Sequence, residues 1–133
     1  MKLSKGAQKI FNILKSEHIL FKTEYEFNNL KGKNDVPLRY DFALLNKINQ
    51  PRILIEFDGE AHFKQVKFFQ KQSSDFKRAQ ERDRQKNKYA LLNNIQLYRI
   101  PYWEIDNINN FKDLFNPKFK VKNKYHNDYL KAP

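Results

Sequence analysis

The sequence predicts one mixed α/β (α+β) domain, in which helices flank a mixed central sheet. The predicted elements follow the order helix, strand, strand, strand, helix, strand, which favours this class. A chain of 133 residues is long enough to close one hydrophobic core. Its apolar fraction of 40% and aromatic fraction of 15% are typical of a packed globular protein rather than a disordered one.

The first part of the chain predicts a helix, a strand and a polar link in turn. Apolar residues at helical spacing, such as Ile10 and Leu14, predict a helix over residues 5–16. Alternating β-type residues predict a strand over 19–27, and polar, turn-forming residues predict a link over 28–37.

The middle of the chain predicts a hairpin and then a long helix. Strands over 38–45 and 52–58 are joined by a short polar linker, and the second is apolar enough to be central. Residues 64–72 form a predicted exposed loop. A helix over 75–93, capped by one of the two serines before it, leads into a strand over 95–101.

The last residues are predicted to differ from the rest. We divide the chain into a domain over 1–115 and a basic C-terminal tail over 116–133, where lysines alternate with other residues. Two alternatives stay open for this tail, an edge strand and a mobile basic arm.

The charge predicts a polyanionic partner. Lys and Arg number 26 against 15 acidic residues, a net charge of +11, which favours nucleic acid because each neutralised phosphate releases counterions. The alternative is a compositional bias without function. No stretch is apolar enough to cross a membrane, and cysteine is absent, which excludes disulfides and a thiolate zinc site. We expect a cytoplasmic protein.

Three acids stand at the ends or interior of apolar strands. Asp41 lies inside the first strand of the hairpin, and Glu56 and Asp58 end the second. Carboxylates placed there need a partner, and the oxygen donors suit Mg²⁺, or Mn²⁺ in its place. The alternative is a structural ion pair of Asp41 with Arg39 or Arg52.

A histidine and a helix acid extend this group. His62 follows Asp58 by four residues and could take a proton from water. Asp83 falls on the inward face of the long helix, where it could orient His62 by accepting its ring N–H. The alternative is a solvated helix on which Asp83 pairs with Lys86 or Asn87.

Basic side chains surround these acids. They are predicted to lie on the outer faces of the long helix and in the loop before it, where they could contact DNA phosphates. The candidates are Arg78, Arg82, Arg84, Lys86, Lys64 and Lys67.

Four blocks of sequence together resemble the very-short-patch-repair-like endonucleases. They read LRYDF at 38–42, IEFDGEAHF at 55–63, ERDRQKN at 81–87 and LYRIPY at 97–102. That group includes phage homing endonucleases with a Glu-Asp-x-His-Asp signature and belongs to the wider PD-(D/E)xK nuclease superfamily. The resemblance covers about residues 4–104. It implies a restriction-endonuclease-like core and metal-dependent cleavage of DNA in homing, repair or nicking.

The resemblance also implies roles for single residues. Asp41 would be the central metal ligand, and Glu56 and Asp58 would occupy the place of the second acidic ligand. His62 would act on water, with Asp83 supporting it. The catalytic lysine of the superfamily is not visible in the strand of Glu56, which is consistent with the histidine-using branch.

One position departs from the family pattern. The first helix usually opens with a Gly-Glu pair whose glutamate reaches the active site, and here the pair is Gly6-Ala7. Three explanations stay open: the protein dispenses with this acid, alanine has been substituted to block cleavage, or Glu24 or Glu26 replaces it.

Two other functions compete with cleavage. The chain could be a DNA-binding module that has kept the fold and lost the chemistry, or a phage inhibitor of a host nucleic-acid enzyme. A homodimer is also left open, and a phage-encoded protein would act in the host cytoplasm.

Overall fold

The computed structural model describes residues 2–63 and 72–133, and it confirms a mixed α/β architecture with helices flanking a four-stranded sheet. Strand order is β1-β2-β3-β4, with antiparallel pairing except between β3 and β4, which are parallel. Within the described part of the chain, no helix is both long and apolar enough to span a membrane. The helices and strands are α1 (Lys5–Ser16), β1 (Phe21–Lys31), β2 (Pro37–Leu45), β3 (Pro51–Asp58), α2 (Gln72–Leu92) and β4 (Gln96–Pro101).

β1 is longer than the predicted strand and forms a hairpin with β2. β1 continues through residues 28–31, which we expected in a polar link, and its pairing with β2 reaches Lys31 opposite Pro37. Leu30 is buried near this end, so tertiary packing outweighs the polar local sequence. The turn shrinks to a 3₁₀ helix at Lys33–Asp35, in which Asn34 has a φ of 60°.

The predicted helix over 5–16 is confirmed, and it packs on one face of the sheet. Ser4 caps it, because the serine side chain accepts a hydrogen bond from Ala7 N at 3.3 Å. Ile10 and Leu14 are fully buried. Gly6 lies so close to the ring of Phe57 that a Cβ there would come within 2.3 Å of Phe57 Cζ.

The second helix, α2, covers the opposite face. Its described part begins at Gln72, three residues before the predicted start, so Ser73 and Ser74 lie within the helix. It ends at Leu92, where Asn94 takes a φ of 55° and Ile95 N donates to Ala90 O. This left-handed residue turns the chain into β4.

In the β1–β2 hairpin, the side chains that pack beneath α1 at one end give way to side chains that pack beneath α2 at the other. Phe42 and Phe21 belong to the apolar cluster beneath α1, whereas Tyr40 and Tyr25 pack in the cluster beneath α2. In a regular strand, residues two or four apart lie on the same face, so both strands must rotate between these pairs.

The rotation occurs at Glu24 on β1 and Asp41 on β2. The register places these two residues opposite each other, between the pairs Thr23–Phe42 and Tyr25–Tyr40, and Glu24 has a φ of 50°. Asp41 therefore does not follow the alternation of side chains along β2. It lies between the residues that pack beneath α1 and those that pack beneath α2.

The segment after residue 115 packs on the domain. Phe119 and Val121 are buried, and Val121 N donates to Leu97 O at 2.8 Å. An isolated antiparallel bridge joins Lys120 to Tyr98 on β4. Of the two alternatives for the tail, the contacts favour the edge pairing over a mobile arm.

Candidate active site

Asp41 and Glu56 face each other where the pairing of β2 and β3 stops. The ladder runs from Leu45 to Phe42 and goes no further. Beyond it, Asp41 Oδ2 accepts a hydrogen bond from Phe57 N at 2.8 Å, and Glu56 Oε1 accepts one from Asp41 N at 3.0 Å. Carboxylates therefore replace backbone carbonyls as acceptors. The two side chains lie together at the open end of the β2–β3 hairpin.

The two carboxylates differ in charge compensation. Glu56 pairs with Lys86 Nζ at 2.7 Å, and both side chains are nearly buried. Asp41 has no ion pair among the described residues. Burial and the neighbouring charge of Glu56 raise the pKa of Asp41 to about 7, although the hydrogen bond from Phe57 N opposes this. Asp41 thus holds a charge that another cation, or a proton, would stabilise.

The predicted contact between His62 and Asp83 is present. His62 lies in the 3₁₀ turn after β3, and its Nδ1 is 2.8 Å from Asp83 Oδ2 on α2. The inward orientation of Asp83 is confirmed, since its carboxylate is almost completely buried. Neither expected alternative partner of Asp83, Lys86 nor Asn87, forms a hydrogen bond with its carboxylate among the described residues.

This contact sets the protonation of both partners. Burial alone would raise the pKa of Asp83, but Arg99 and the hydrogen bond with His62 lower it below the ordinary value. Burial lowers the pKa of His62, but the bond to Asp83 and the charges of Asp58 and Asp83 outweigh it, so the net shift is upward. Because an ionised Asp83 only accepts, His62 Nδ1 carries the proton and Nε2 is the free nitrogen of the neutral ring.

Arg99 lies beneath this pair and was not among the predicted site residues. Its side chain is 0% exposed and donates to Asp58 Oδ1 at 2.7 Å and to Asn87 Oδ1 at 2.6 Å. It also lies 3.5 Å from Asp83 Oδ1. A charged residue inside an apolar strand was the signal, since an arginine in such a place needs a buried acid as partner.

Asp58, which was predicted as a metal ligand, binds other protein side chains through its carboxylate. It is fully buried, with Oδ1 bound by Arg99 and Oδ2 by Asn127 Nδ2 at 2.9 Å. Both oxygens are therefore occupied by protein donors. The parallel pairing sets Arg99 beside Glu56, and Asp58 lies two residues further along β3, where Arg99 Nη1 reaches it.

The donor set of Asp41 and Glu56 fits a hard divalent cation. Their hydrogen bonds use Asp41 Oδ2 and Glu56 Oε1, which leaves one oxygen of each without a partner among the described residues. In residues 2–63 and 72–133, no three His, Asp or Glu side chains form a metal-binding group. A site with two carboxylates suits Mg²⁺, which keeps several waters and takes phosphate oxygens as ligands.

Carboxylates outnumber cations around this donor set. The cluster contains four carboxylates, Asp41, Glu56, Asp58 and Asp83, and two cations, Lys86 and Arg99.

A basic groove leads to His62. Two adjoining cavities of about 600 Å³ and 630 Å³ lie between residues 32–39 and α2, and Ala61 and His62 line one of them. We call this the basic groove. The basic side chains among its lining residues are Lys33, Arg39, Arg78, Arg82 and Lys86.

The predicted DNA-contacting residues divide into four groups. Arg78 and Arg82 line the basic groove. Arg84 instead faces the C-terminal segment, where it pairs with Asp128 at 2.9 Å. Lys86 does not lie on an outer face as expected, because its ammonium is drawn inward by Glu56. Lys64 and Lys67 fall outside the described residues.

Position 7 belongs to the apolar core on the α1 face of the sheet. Ala7 packs in the apolar cluster beneath α1, whereas Glu56 pairs with a residue of α2 on the other face. Of the two suggested replacements, Glu26 pairs with Arg39 at 2.6 Å on the surface. Glu24 is exposed, opposite Asp41 in the register.

Comparisons of the chain with models of protein families, with curated proteins and with solved structures give no match. The resemblance of the four sequence blocks therefore stays a prediction. What the site does has to follow from the chemistry of its own side chains.

Proposed function

We propose that this chain is a metal-dependent DNA endonuclease of the very-short-patch-repair-like kind, which hydrolyses phosphodiester bonds. The observation that carries the proposal is the joint placement of two groups. The carboxylates of Asp41 and Glu56 lie at the open end of the β2–β3 hairpin. The pair of His62 and Asp83 lies beside the basic groove.

Asp41 and Glu56 would hold the metal ion. Each carboxylate is fixed by a backbone N–H through one oxygen and offers the other. Lys86 Nζ lies 2.7 Å from Glu56 Oε1 and fixes that oxygen from the side of α2. When bound, Mg²⁺ supplies Lewis-acid polarisation of the phosphoryl oxygen and stabilises the charge of the leaving oxygen.

His62 would act on the attacking water. Its Nδ1 is engaged by Asp83, which leaves Nε2 as the basic nitrogen, and 28% of the side chain is exposed. A ring that is oriented on one side and open on the other is suited to take a proton from water and to release it to solvent.

The basic groove would hold the DNA backbone. Its two walls carry Arg39 on the hairpin and Arg78 and Arg82 on α2. Guanidinium groups bind phosphate in a bidentate way, and their contacts fix register without reading sequence. The net charge of +11 adds a long-range attraction to the same partner.

The proposal is tested by cleavage of supercoiled plasmid DNA with and without Mg²⁺. We expect nicked or linear product that EDTA prevents, and a loss of at least about a hundredfold in rate for Asp41→Asn. Glu17→Ala, which removes an exposed acid at the end of α1, is the matched control and should cut like the parent chain. Equal cutting by the parent and Asp41→Asn preparations would refute the proposal.

A second candidate is a DNA-binding module of the same fold without cleavage, which Ala7 favours. An Ala7→Glu variant separates the two functions. If position 7 is a missing ligand, the variant gains Mg²⁺-dependent cutting. We expect no gain, because Ala7 is packed among apolar side chains beneath α1. Salt-sensitive DNA binding without cutting by either form would favour the module.

A further inference from the structure

The C-terminal segment contributes a side chain to the candidate active site. Asn127 Nδ2 donates to Asp58 Oδ2 at 2.9 Å and approaches Asp83 Oδ2 at 3.4 Å. The second oxygen is the one that binds His62 Nδ1. One amide thus bridges two carboxylates of different elements, β3 and α2.

Two acids lie within reach of His62 beside this bridge. His62 Nδ1 lies 2.8 Å from Asp83 Oδ2 but also 3.6 Å from Asp58 Oδ1, so the two carboxylates compete for the same proton. Arg99 holds Asp58 Oδ1 from the opposite side. With Asn127 on Asp58 Oδ2, the Asp58 carboxylate is fixed at both oxygens and cannot turn toward the histidine.

Asn127 has this position at a cost to stability. Its Oδ1 is buried and has no hydrogen-bond partner in the described residues, so the amide leaves one acceptor unsatisfied. The opposite orientation of the amide would set that oxygen against Asp58 and Asp83. The orientation in which Nδ2 donates to the two carboxylates is therefore the favourable one.

The segment is anchored independently of this bridge. Phe119 and Val121 are buried, Lys124 O accepts from Asn87 Nδ2 at 3.1 Å, and Asp128 pairs with Arg84. Removing the Asn127 amide therefore leaves other contacts that hold the segment in place.

We propose that Asn127 is a positioning residue for His62, and that the C-terminal segment completes the active site by holding Asp58 and Asp83 apart. This rests on the proposed function for its catalytic meaning. The geometry of the histidine itself is testable without any activity.

The test uses the full-length chain with Asn127→Ala and the near-isosteric Asn127→Leu. Long-range ¹H–¹⁵N spectra report which ring nitrogen of His62 carries the proton, and the chain has only three histidines, so a His62→Gln spectrum assigns the signal. We expect the Nδ1–H form of His62 to dominate in the parent and to lose dominance in both variants. In cleavage, kcat should fall about 10- to 100-fold with KM for DNA unchanged.

Asp128→Asn is the matched control, because it breaks a contact of the same segment with α2 without touching Asp58 or Asp83. It should keep the His62 spectrum and most of kcat. An unchanged spectrum in both folded Asn127 variants, or an equal spectral change in Asp128→Asn, would overturn the proposal. If the parent chain does not cut DNA, the proposed function fails, while the spectra still decide the role of Asn127.

Discussion

His62 Nδ1 lies 2.8 Å from Asp83 Oδ2, and this bond joins the turn after β3 to the middle of α2. It orients the imidazole so that Nε2 is the nitrogen available for chemistry. The same bond opposes the effect of burial on the histidine, and the net pKa of His62 is raised above its ordinary value. A site built this way requires both residues.

Replacing Asp83 by Asn should change both the rate and its pH dependence. Loss of the carboxylate removes the bond and charge that raise the pKa of His62, so burial then lowers it. If His62 acts as a base, the acid limb of the kcat/KM profile moves to lower pH. The maximal rate falls by roughly a thousandfold or more, because the amide can favour the wrong tautomer. A limb that moves to higher pH would contradict this assignment.

Stability should depend on pH through Asp41. Its folded pKa of about 7 exceeds the value of an unfolded aspartate. Its contribution is therefore fully present below about pH 4 and is lost as pH rises through about 7. Mg²⁺ bound to the ionised carboxylate reverses this loss, so we expect Mg²⁺ to raise Tm more at pH 8 than at pH 5. In Asp41→Asn, thermal melts should show little Mg²⁺ dependence at either pH, and an undiminished shift would contradict the assignment.

Arg99 should be among the most costly residues to replace. Arg99→Met leaves Asp58 and Asp83 buried without their cation, and we expect a loss of about 3–5 kcal/mol in urea unfolding. Arg39→Met is the matched control, since Arg39 makes a 2.6 Å bond to Glu26 on the surface. That exposed pair should be worth less than about 1 kcal/mol. Similar losses of unfolding free energy for the two variants would contradict the view that burial makes the Arg99 ion pairs costly to break.

The basic groove should be visible in the salt dependence of DNA binding. Arg82→Ala and Arg78→Ala each remove one groove cation, and each should reduce the slope of log K against log salt by about 0.9 if it contacts one phosphate. Arg84→Ala is the control, because Arg84 pairs with Asp128 away from the groove. Fluorescence anisotropy with a labelled duplex measures all three, and a reduced slope for Arg84→Ala alone would place the DNA elsewhere.

Local sequence patterns were sufficient for most of the elements and for part of the site. Helical spacing predicted α1 and alternation predicted β1, whereas β3 followed from a continuous apolar run and α2 and β4 from capping residues and a short connection. These patterns also marked Asp41 and Asp83 as acids on apolar faces. The errors fell at the end of β1 and the start of α2, where pairing and packing outweigh local preference.

Other features have no local signal. Asn127 and Asp58 are 69 positions apart in the chain, and only the docking of the C-terminal segment on β4 brings them together. The inward course of Lys86 depends on Glu56 of another element. Long-range pairs of this kind depend on how the elements pack, which no window of sequence contains.

The sequence by itself determined the order of elements, the strong positive charge and the positions of the acids and histidine, because each depends on composition or on nearby residues. Only the tertiary structure decided which acids share a partner. Asp58 is bound by a buried arginine, whereas Asp41 has no ion pair among the described residues. The physical reason is that a buried charge is stabilised or not by neighbours that the fold, not the chain order, supplies.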